Sequence, residues 1–330
     1  MVIDEQVSHP ILAKAARLQL FGKSPAGFYL HLNGWIWRLL PSLVRSFYPI
    51  RAYGAWLHTL ARVGTRQQCF GTFFLRNRPA LELMRRLAEE KADGSTLKIA
   101  VLGTSIGAEL YSILWTIRRA RPDLKVVVCA VDISKEILNF AQKGIYAPNT
   151  CELTGSSIFE RLTPYEMGEM FDWEGDQGRV KPWLRDAITW HVGDASDPEL
   201  IRVLGPQDMV VASNFLCHMT PLAAENCLHN IAGLVNPGGH LFVMGVDLDV
   251  RAKVAHDLGW RPVPELIEQI HDGDPSVRMT WPWLWSGLEP LNYRRHDWQI
   301  RYAAVFRLNE AIDRACPSVE FSFEDHKEVG

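Results

Sequence analysis

The stretch that decides the fold is Leu97-Lys-Ile-Ala-Val-Leu-Gly-Thr-Ser-Ile-Gly-Ala-Glu-Leu-Tyr-Ser112. The apolar run Ile99–Leu102 predicts a buried strand, Gly103 and Gly107 predict a turn, and apolar residues recur at helical spacing from Leu110 onward. A strand, a glycine turn and a helix can cradle a nucleotide-like ligand, because the glycines admit close approach and the helix N-terminus offers free N–H groups. A βαβ unit that binds no ligand would show the same pattern, so the stretch alone leaves both interpretations open.

The second apolar run, Val126–Val131, ends in Asp132. An acid at the end of the second strand is the usual partner for ribose hydroxyls. The glycine spacing differs from the dinucleotide pattern G-x-G-x-x-G, so we do not expect NAD.

Strands and helices alternate through the rest of the chain. Further strands are predicted at Ile188–Val192, Gln207–Ser213 and His240–Val246, and a late one at Trp298–Leu308. Pro221 opens a predicted helix, and the turn Asn236–Gly239 precedes the strand that begins at His240. This alternation predicts a parallel, doubly wound α/β sheet.

The composition is that of an ordinary globular protein, with 330 residues of which 47% are hydrophobic and 22% charged. The six cysteines are scattered without C-x-x-C or zinc-ligand spacing, which predicts reduced thiols and no metal site. We see no signal peptide and no apolar run long enough to span a bilayer. The expected location is the cytoplasm. A peripheral contact with a membrane is the alternative suggested by the uneven charge described next.

Charge is distributed unevenly along the chain. The segment from Gln6 to Leu81 contains ten Lys and Arg residues and no Asp or Glu, whereas the whole chain has a net charge of −3. Such an asymmetry bears on partners rather than on fold. Three interpretations stay open: the solvated face of a helical domain, a dock for an acidic partner, and an interfacial membrane helix. Nucleic acid would fit the charge, but no recognised binding motif is present.

Six short motifs lie along the chain in a fixed order. They are Thr72–Arg76 with Asn77, Ser105–Ser112, Ala130–Ile133, Ala141–Tyr146, Ala212–Asn214 and Pro237–Gly239. Through these motifs, from about residue 70 to 246, the chain resembles S-adenosylmethionine-dependent methyltransferases of the chemotaxis-receptor type, the CheR-like family. The family patterns are T-x-F-F-R-D, S-T-G-E-E-P-Y-S, A-S-D-I, A-x-x-G-I-Y, C-R-N and P-G-G.

The resemblance implies a class I, Rossmann-like, seven-stranded α/β methyltransferase domain with an N-terminal all-helical domain and a small inserted subdomain. The expected segments are a basic helical domain over 1–68, a linker over 69–96, the methyltransferase domain over 97–310 and a tail over 311–330. Within the methyltransferase domain, residues 147–187 are expected to form the inserted subdomain. Independently of the resemblance, the Trp-rich residues 251–295 would form a lid if the acceptor is a small molecule.

The resemblance also implies roles for single residues around S-adenosyl-L-methionine and its product, S-adenosyl-L-homocysteine. Gly103 and Gly107 belong to the cofactor loop, Glu109 would bind the α-amino group, and Asp132 would hold the ribose hydroxyls. Thr72 and Arg76 would contact the cofactor, with Arg76 reaching its methionine end or the acceptor. The adenine would meet Gly193 and Asp194, and Asn214 and Phe215 would line the floor near the sulfonium.

Asn77 stands at the Asp position of the first motif. Three further departures from the family pattern concern the acceptor. His218 replaces a Tyr in the segment Phe215–Met219, Phe70 stands where the family often has Asn, and the segment 251–295 is longer than the family's short ending. A carboxylate acceptor needs no base, whereas a hydroxyl or amine acceptor must lose a proton, for which a nearby histidine is suited. His218 is therefore a candidate catalytic base beside Arg76, with simple packing as the alternative.

Three functions remain open from the sequence. The first is a CheR-like methyltransferase acting on a carboxylate of an acidic protein, with a receptor contact through the basic N-terminal region. The second is a small-molecule O- or N-methyltransferase that uses His218 as base. The third is a non-catalytic, methyltransferase-like scaffold that binds a partner.

Overall fold

The computed structural model describes residues 72–148, 150, 157–273, 289 and 291–308 and, with gaps, residues 29–62. Phe70, part of the predicted lid and the predicted tail lie outside the described residues. The helices are α1 Tyr48–Arg62, α2 Arg78–Glu89, α3 Ala108–Ala120, α4 Lys135–Lys143, α5 Pro164–Met170, α6 Pro182–Arg185, α7 Glu199–Leu204, α8 Pro221–Ala232, α9 Leu248–Asp257, α10 Ile267–His271 and α11 Trp298–Tyr302. The strands are β1 Thr96–Leu102, β2 Lys125–Asp132, β3 Ile145–Tyr146, β4 Phe171–Glu174, β5 Gln177–Val180, β6 Ile188–Val192, β7 Gln207–Ser213, β8 Val235–Met244, β9 Arg261–Pro262 and β10 Val305–Arg307.

A seven-stranded sheet forms the centre of the protein, with the strand order β6-β2-β1-β7-β8-β10-β9. The five strands from β6 to β8 are parallel, and β10 is antiparallel to both of its neighbours. The predicted parallel α/β sheet is thus confirmed. The chain runs outward from β1 in both directions, through β2 on one side and β7 on the other, so the strand order reverses beside β1. In open α/β sheets, ligands bind at the carboxyl ends of strands at such a reversal.

Alternate residues of β1 enter two different hydrophobic cores. Ile99 and Val101 pack with side chains of α2 and α3, whereas Ala100 and Leu102 pack with side chains of α8 and α9. A strand covered on both faces reads as a continuous apolar run, which explains why the sequence around Ile99 lacks polar alternation.

A second, antiparallel sheet has the order β3-β5-β4 and lies in the chain between β2 and β6. Its aromatic side chains continue the core: Phe171 meets Phe74 edge-on, with ring centroids 5.0 Å apart, and Phe159 at 5.3 Å. Its first strand, Ile145–Tyr146, precedes the segment 147–187 that the sequence singled out.

Two details of the predicted strands are corrected. Residues 298–308 form helix α11 followed by the short strand β10, rather than one strand. The turn Asn236–Gly239 lies within β8, which pairs with β7 on both sides of an irregularity between Gln207 and Met209.

Helical residues precede the sheet in the N-terminal region. The described residues 29, 32, 33, 35–37 and 39 are helical, and α1 follows them. Tyr29 contacts Trp56 of α1 edge-on at 6.3 Å, and the hydroxyls of Tyr29 and Tyr53 lie 2.8 Å apart. Among the described residues, we find no helix with the length and apolar character needed to cross a membrane.

Candidate active site

The loops that follow β1, β2, β6 and β7 meet at one edge of the sheet. The Thr104 N–H donates to the Val131 carbonyl at 2.9 Å, which joins the β1 loop to the end of β2. The Gly193 N–H donates to the Asp132 carbonyl at 3.0 Å, which joins the loop after β6 to the same strand. These bonds bring together three segments that the sequence assigned to a cofactor.

The glycine loop requires unusual backbone conformations. Gly103 has φ +65°, and a Cβ at this position would approach the Phe215 ring to within 2.8 Å. Gly107 has φ +91° and precedes the first turn of α3. Ser105, between them, has φ +51°, which a residue with a side chain rarely adopts. The loop is therefore held in a strained form by its surroundings, as is frequent at ligand sites.

Asp132 is buried at the end of β2, and both of its carboxylate oxygens accept backbone hydrogen bonds. Oδ2 accepts from the Ser105 N–H at 2.8 Å, and Oδ1 accepts from the Ser134 N–H at 3.0 Å. Asp132 thus shapes the glycine loop. Each oxygen still has a second lone-pair direction, so the carboxylate retains capacity for further donors.

Glu109 lies in the first turn of α3 and is partly buried. Burial raises the pKa of this carboxyl, and the Ser213 hydroxyl and the Arg76 charge offset only part of that rise. A buried carboxylate with an incompletely balanced charge favours a cationic neighbour. The same effects place Glu109 near Ser213 at the end of β7 and near Arg76.

The segment from Thr72 to Arg76 is fixed to α3 and to the inserted region. The Leu75 N–H donates to the Ser112 hydroxyl at 2.9 Å, and the Arg76 carbonyl accepts from Arg161 Nη1 at 2.6 Å. Leu75 has φ +51°, and Thr72 is buried. These contacts fix the backbone on both sides of Arg76.

Asn214 directly follows β7 and has a left-handed backbone conformation, with φ +61°. Its N–H donates to the Met244 carbonyl at 2.9 Å, and Gly245 lies so close that a Cβ there would fall 2.5 Å from Asn214 Oδ1. Phe215 then packs on Gly103. The tight fit explains both the backbone conformation of Asn214 and the presence of glycine at position 245.

His218 lies in a short 3₁₀ turn, Leu216–His218, immediately after Asn214 and Phe215. Its N–H donates to the Phe215 carbonyl at 3.0 Å, and its side chain is partly buried. This turn places His218 next to the segment that contacts the glycine loop.

Asp194 differs from the other predicted site residues because it is exposed. Its carboxylate accepts from the Ser196 N–H at 2.8 Å, as in a local turn. Gly193, beside it, packs within the fold, because a Cβ there would meet Leu200 at 3.1 Å.

Two tyrosines of the motif segments have structural roles. The Tyr146 hydroxyl donates to the Ile106 carbonyl at 2.5 Å, and the Tyr111 hydroxyl donates to the Ala141 carbonyl at 2.7 Å. Both residues are fully buried. They connect the glycine loop to α4 and β3 and thereby hold its backbone.

The part of the chain that forms this site matches the sequence model of a known protein family. The sequence model of the CheR methyltransferase, SAM-binding domain matches residues 71–250, which is more than half of the chain. The chain belongs to the CheR methyltransferase family. The matched part is that family's S-adenosylmethionine-binding methyltransferase domain, and it covers every site residue described above.

Curated relatives of the CheR family are similar to the same part of the chain. Chemotaxis protein methyltransferase 1 of Vibrio cholerae is 29% identical over 164 residues, which are 48% of this chain and 56% of the relative. A chemotaxis protein methyltransferase of Vibrio anguillarum is 28% identical over 166 residues, 48% of this chain and 57% of the relative. The chain thus spans about half the length of these relatives.

Among solved structures, the chain is similar to magnesium protoporphyrin IX methyltransferase from Synechocystis PCC 6803 with bound SAM. It is 15% identical with a TM-score of 0.33, and the match covers 67% of this chain and 86% of that one.

The ionic network of the cover, which we define as α10, Glu289 and α11, was not expected from the sequence, although α10 and Glu289 lie within the expected lid segment 251–295. The Glu289 carboxylate accepts from Arg301 Nε at 2.7 Å and from the Tyr302 hydroxyl at 2.8 Å. Its carbonyl lies 2.8 Å from Nε2 of His271, so this nitrogen carries the proton. Arg301 also donates to Asp249 at 2.8 Å. No local sequence pattern announces this network, because its members are spread over more than fifty positions.

Asn77 connects the cover to the motif segment. Its Nδ2 donates to the Ile270 carbonyl at 2.9 Å and lies 3.7 Å from Met244 Sδ, while its Oδ1 accepts from the Ala80 N–H at 3.1 Å. An aspartate, the family's residue here, could cap α2 in the same way but could not donate to Ile270. The departure at position 77 therefore has a structural reason.

No cluster of three or more potential metal ligands occurs among the residues that the structure describes.

Proposed function

We propose that this CheR-family protein transfers the methyl group of S-adenosylmethionine to a carboxylate of a protein acceptor. The observation that carries the proposal is the convergence of Glu109, Asp132, Asn214 and Phe215 around the loop Gly103–Gly107. S-adenosylmethionine supplies an electrophilic methyl group on a sulfonium when it is bound. The chain's own task is then to hold and align two reactants, from which most of the rate enhancement of such a displacement comes.

The residues at the site fit a ligand with an ammonium group and a ribose diol. The Glu109 carboxylate, whose pKa is raised by burial, is suited to receive an ammonium ion. Asp132 has unused lone pairs that can accept hydroxyl donors. The exposed backbone around Asp194 and the ring of Phe215 are our candidates for contacts with the adenine and with the sulfonium region. Thr72 completes this set as a further cofactor contact.

Arg76 supports a carboxylate acceptor. Burial raises the pKa of the Glu109 carboxyl, and the positive charge of Arg76 lies close enough to offset part of that rise. A guanidinium at this place can attract and orient an anion, either the cofactor's carboxylate or the acceptor's. A carboxylate acceptor is already ionised near neutral pH and needs no base. The Vibrio relatives are chemotaxis protein methyltransferases, which supports a protein acceptor.

A second candidate function rests on His218. The partly buried imidazole follows Phe215 by three positions, in the turn that packs beside the glycine loop. A base at this position suits a hydroxyl or amine of a small molecule, since such an acceptor must lose a proton. In that case His218→Phe should lower turnover by about 10²-fold or more, whereas undiminished turnover would rule out this role.

The experiment that tests the proposal supplies the protein with methyl-tritiated S-adenosylmethionine and an extract of its host. Label on protein that mild alkali releases as methanol would establish a carboxyl ester. Alkali-stable label in the small-molecule fraction would contradict the first proposal and support the second. Failure to bind S-adenosylhomocysteine in a calorimetric titration would contradict both and indicate a non-catalytic scaffold.

A further inference from the structure

Exposed apolar and aromatic side chains are concentrated in the N-terminal region. Of the residues that the structure describes, nine such side chains lie between positions 29 and 56: Tyr29, Leu32, Trp35, Ile36, Leu39, Phe47, Tyr48, Tyr53 and Trp56. Eight more are scattered over the far longer described part from residue 72 to 308. We call the nine residues the N-terminal apolar surface. Exposed apolar side chains at this density mark an interaction site.

Four of these residues share one face of a helix. Tyr29, Leu32, Ile36 and Leu39 are spaced by three, four and three positions, and all four are helical and exposed. This spacing places side chains in one stripe. Trp37, about 100° further round the helix, is buried. The helix therefore packs through another side and turns its apolar stripe toward solvent.

The stripe continues onto α1. The ring of Tyr29 meets that of Trp56 at 6.3 Å, and Trp56 stacks on Tyr53 with centroids 5.7 Å apart. The Tyr53 hydroxyl also donates to the Asn33 side chain. These contacts join the two helical segments, so the apolar stripe lies beside the exposed rings of Tyr53 and Trp56.

The charge of this region determines which partner fits. From Gln6 to Phe70 the chain has eight Lys and Arg residues and no acidic residue. A partner must therefore be anionic and must also accept several aliphatic and aromatic side chains. The acidic face of a protein offers the first property, whereas an anionic bilayer offers both. Trp and Tyr favour the headgroup layer, where the ring is buried and its polar atom stays hydrated.

We propose that the N-terminal apolar surface binds an anionic lipid bilayer and holds the methyltransferase domain at a membrane. The aromatic and aliphatic side chains enter the headgroup layer, and the basic residues of the same region attract the lipid phosphates. This inference does not depend on the proposed reaction or on its acceptor.

The test is co-sedimentation of the full chain with vesicles. Vesicles of phosphatidylcholine alone are compared with vesicles that also contain phosphatidylglycerol. We expect binding to the anionic vesicles that weakens steeply with added salt, and little binding to the neutral ones. Absence of binding to the anionic vesicles, or equal binding to both kinds, would overturn the proposal.

Matched variants distinguish binding through this surface from nonspecific hydrophobic binding. Trp35→Ser combined with Leu39→Ser removes two side chains that are 60% and 64% exposed, and binding should weaken at least about tenfold. Val203→Ser combined with Leu222→Ser removes two side chains that are 63% and 68% exposed elsewhere, and binding should not change. The thermal unfolding midpoint by circular dichroism checks that both variants are folded. Equal losses in the two variants would contradict the assignment of this surface.

A polyglutamate column provides the remaining comparison. A chain that binds polyglutamate but not anionic vesicles recognises acidic protein surfaces instead, and the lipid proposal is then wrong. Retention on the column that Trp35→Ser with Leu39→Ser leaves unchanged, together with loss of vesicle binding in the same variant, would support the lipid proposal.

Discussion

Different kinds of contact stabilise the cover and the edge of the sheet where the loops after β1, β2, β6 and β7 meet. We call this edge the cofactor edge. At the cofactor edge, Asp132 bonds to the backbone of Ser105 and Ser134, and Gly107 begins the helix that carries Glu109. In the cover, side chains far apart in sequence hold one another, and Asn77 reaches a carbonyl 193 positions away. Backbone hydrogen bonds near strand ends therefore shape the cofactor edge, whereas partly buried ionic contacts stabilise the cover.

The largest effect is expected from removing Glu289. Glu289→Ala leaves Arg301, whose side chain is 10% exposed, without a principal anionic partner, and we expect the free energy of unfolding to fall by about 2–4 kcal/mol. Urea denaturation measures this loss. The matched control is Glu199→Ala, because the Glu199–Arg202 pair is 61% and 78% exposed and its removal should cost less than about 0.5 kcal/mol.

Binding of S-adenosylhomocysteine tests whether the cover and the cofactor edge are stabilised separately. If the cover and the cofactor edge are separately stabilised, folded Glu289→Ala should bind this product with nearly unchanged affinity. A loss of affinity as large as that of a cofactor-edge variant would show that the two regions act as one unit.

Asp132→Ala should weaken S-adenosylhomocysteine binding by about 1–3 kcal/mol, or roughly 10- to 100-fold. The variant loses charge-assisted bonds to the ligand and the anchor of the Ser105 backbone together. Isothermal titration calorimetry measures the affinity. Asp132→Asn keeps one acceptor oxygen, so its affinity should lie between those of the parent and of Asp132→Ala. Unchanged affinity in the alanine variant would contradict the assigned role.

Asn77→Asp should lower the free energy of unfolding by about 1–2 kcal/mol. The new carboxylate still caps α2, but it loses the donor to Ile270 and places a negative charge against that carbonyl. Asn77→Ser, which keeps a cap acceptor and adds no charge, should cost less. A stabilised aspartate variant would show that the helix cap outweighs the contact with the cover.

The smallest effect concerns stability in acid. A hydrogen bond from Arg78 holds the pKa of Glu166 at about 2, below its ordinary value of 4.5. A carboxyl whose pKa is depressed by folding stabilises the protein above its unfolded pKa, and this contribution disappears as the pH falls from about 4.5 to about 2. Because Arg78 is about half exposed, we expect a loss of only about 1 kcal/mol.

Glu166→Gln tests this assignment by removing the titrating group. Plots of unfolding free energy against pH should be flatter for the variant than for the parent between about pH 4.5 and about pH 2. Parallel curves would show that other carboxyls cause the acid dependence.

Much of the fold could be predicted because its signals are local. The apolar run Ile99–Leu102 specified a strand buried on both faces, and the alternation of strands and helices specified the parallel sheet. Errors arose where tertiary contacts override local patterns. Residues 298–302 form a helix although their sequence alternates, because Arg301 and Tyr302 bond to Glu289 on one side of that turn.

The sequence by itself determined the family, the sheet and the order of the loops along its edge. Motif residues such as Gly103 and Asp132 work through the backbone of their neighbours, so their spacing carries the information. Only the tertiary structure decided that Asn77 binds the cover, that Phe215 closes over Gly103, and that the N-terminal apolar stripe is exposed. Each of these depends on contacts between distant segments, which a pattern along the chain does not encode.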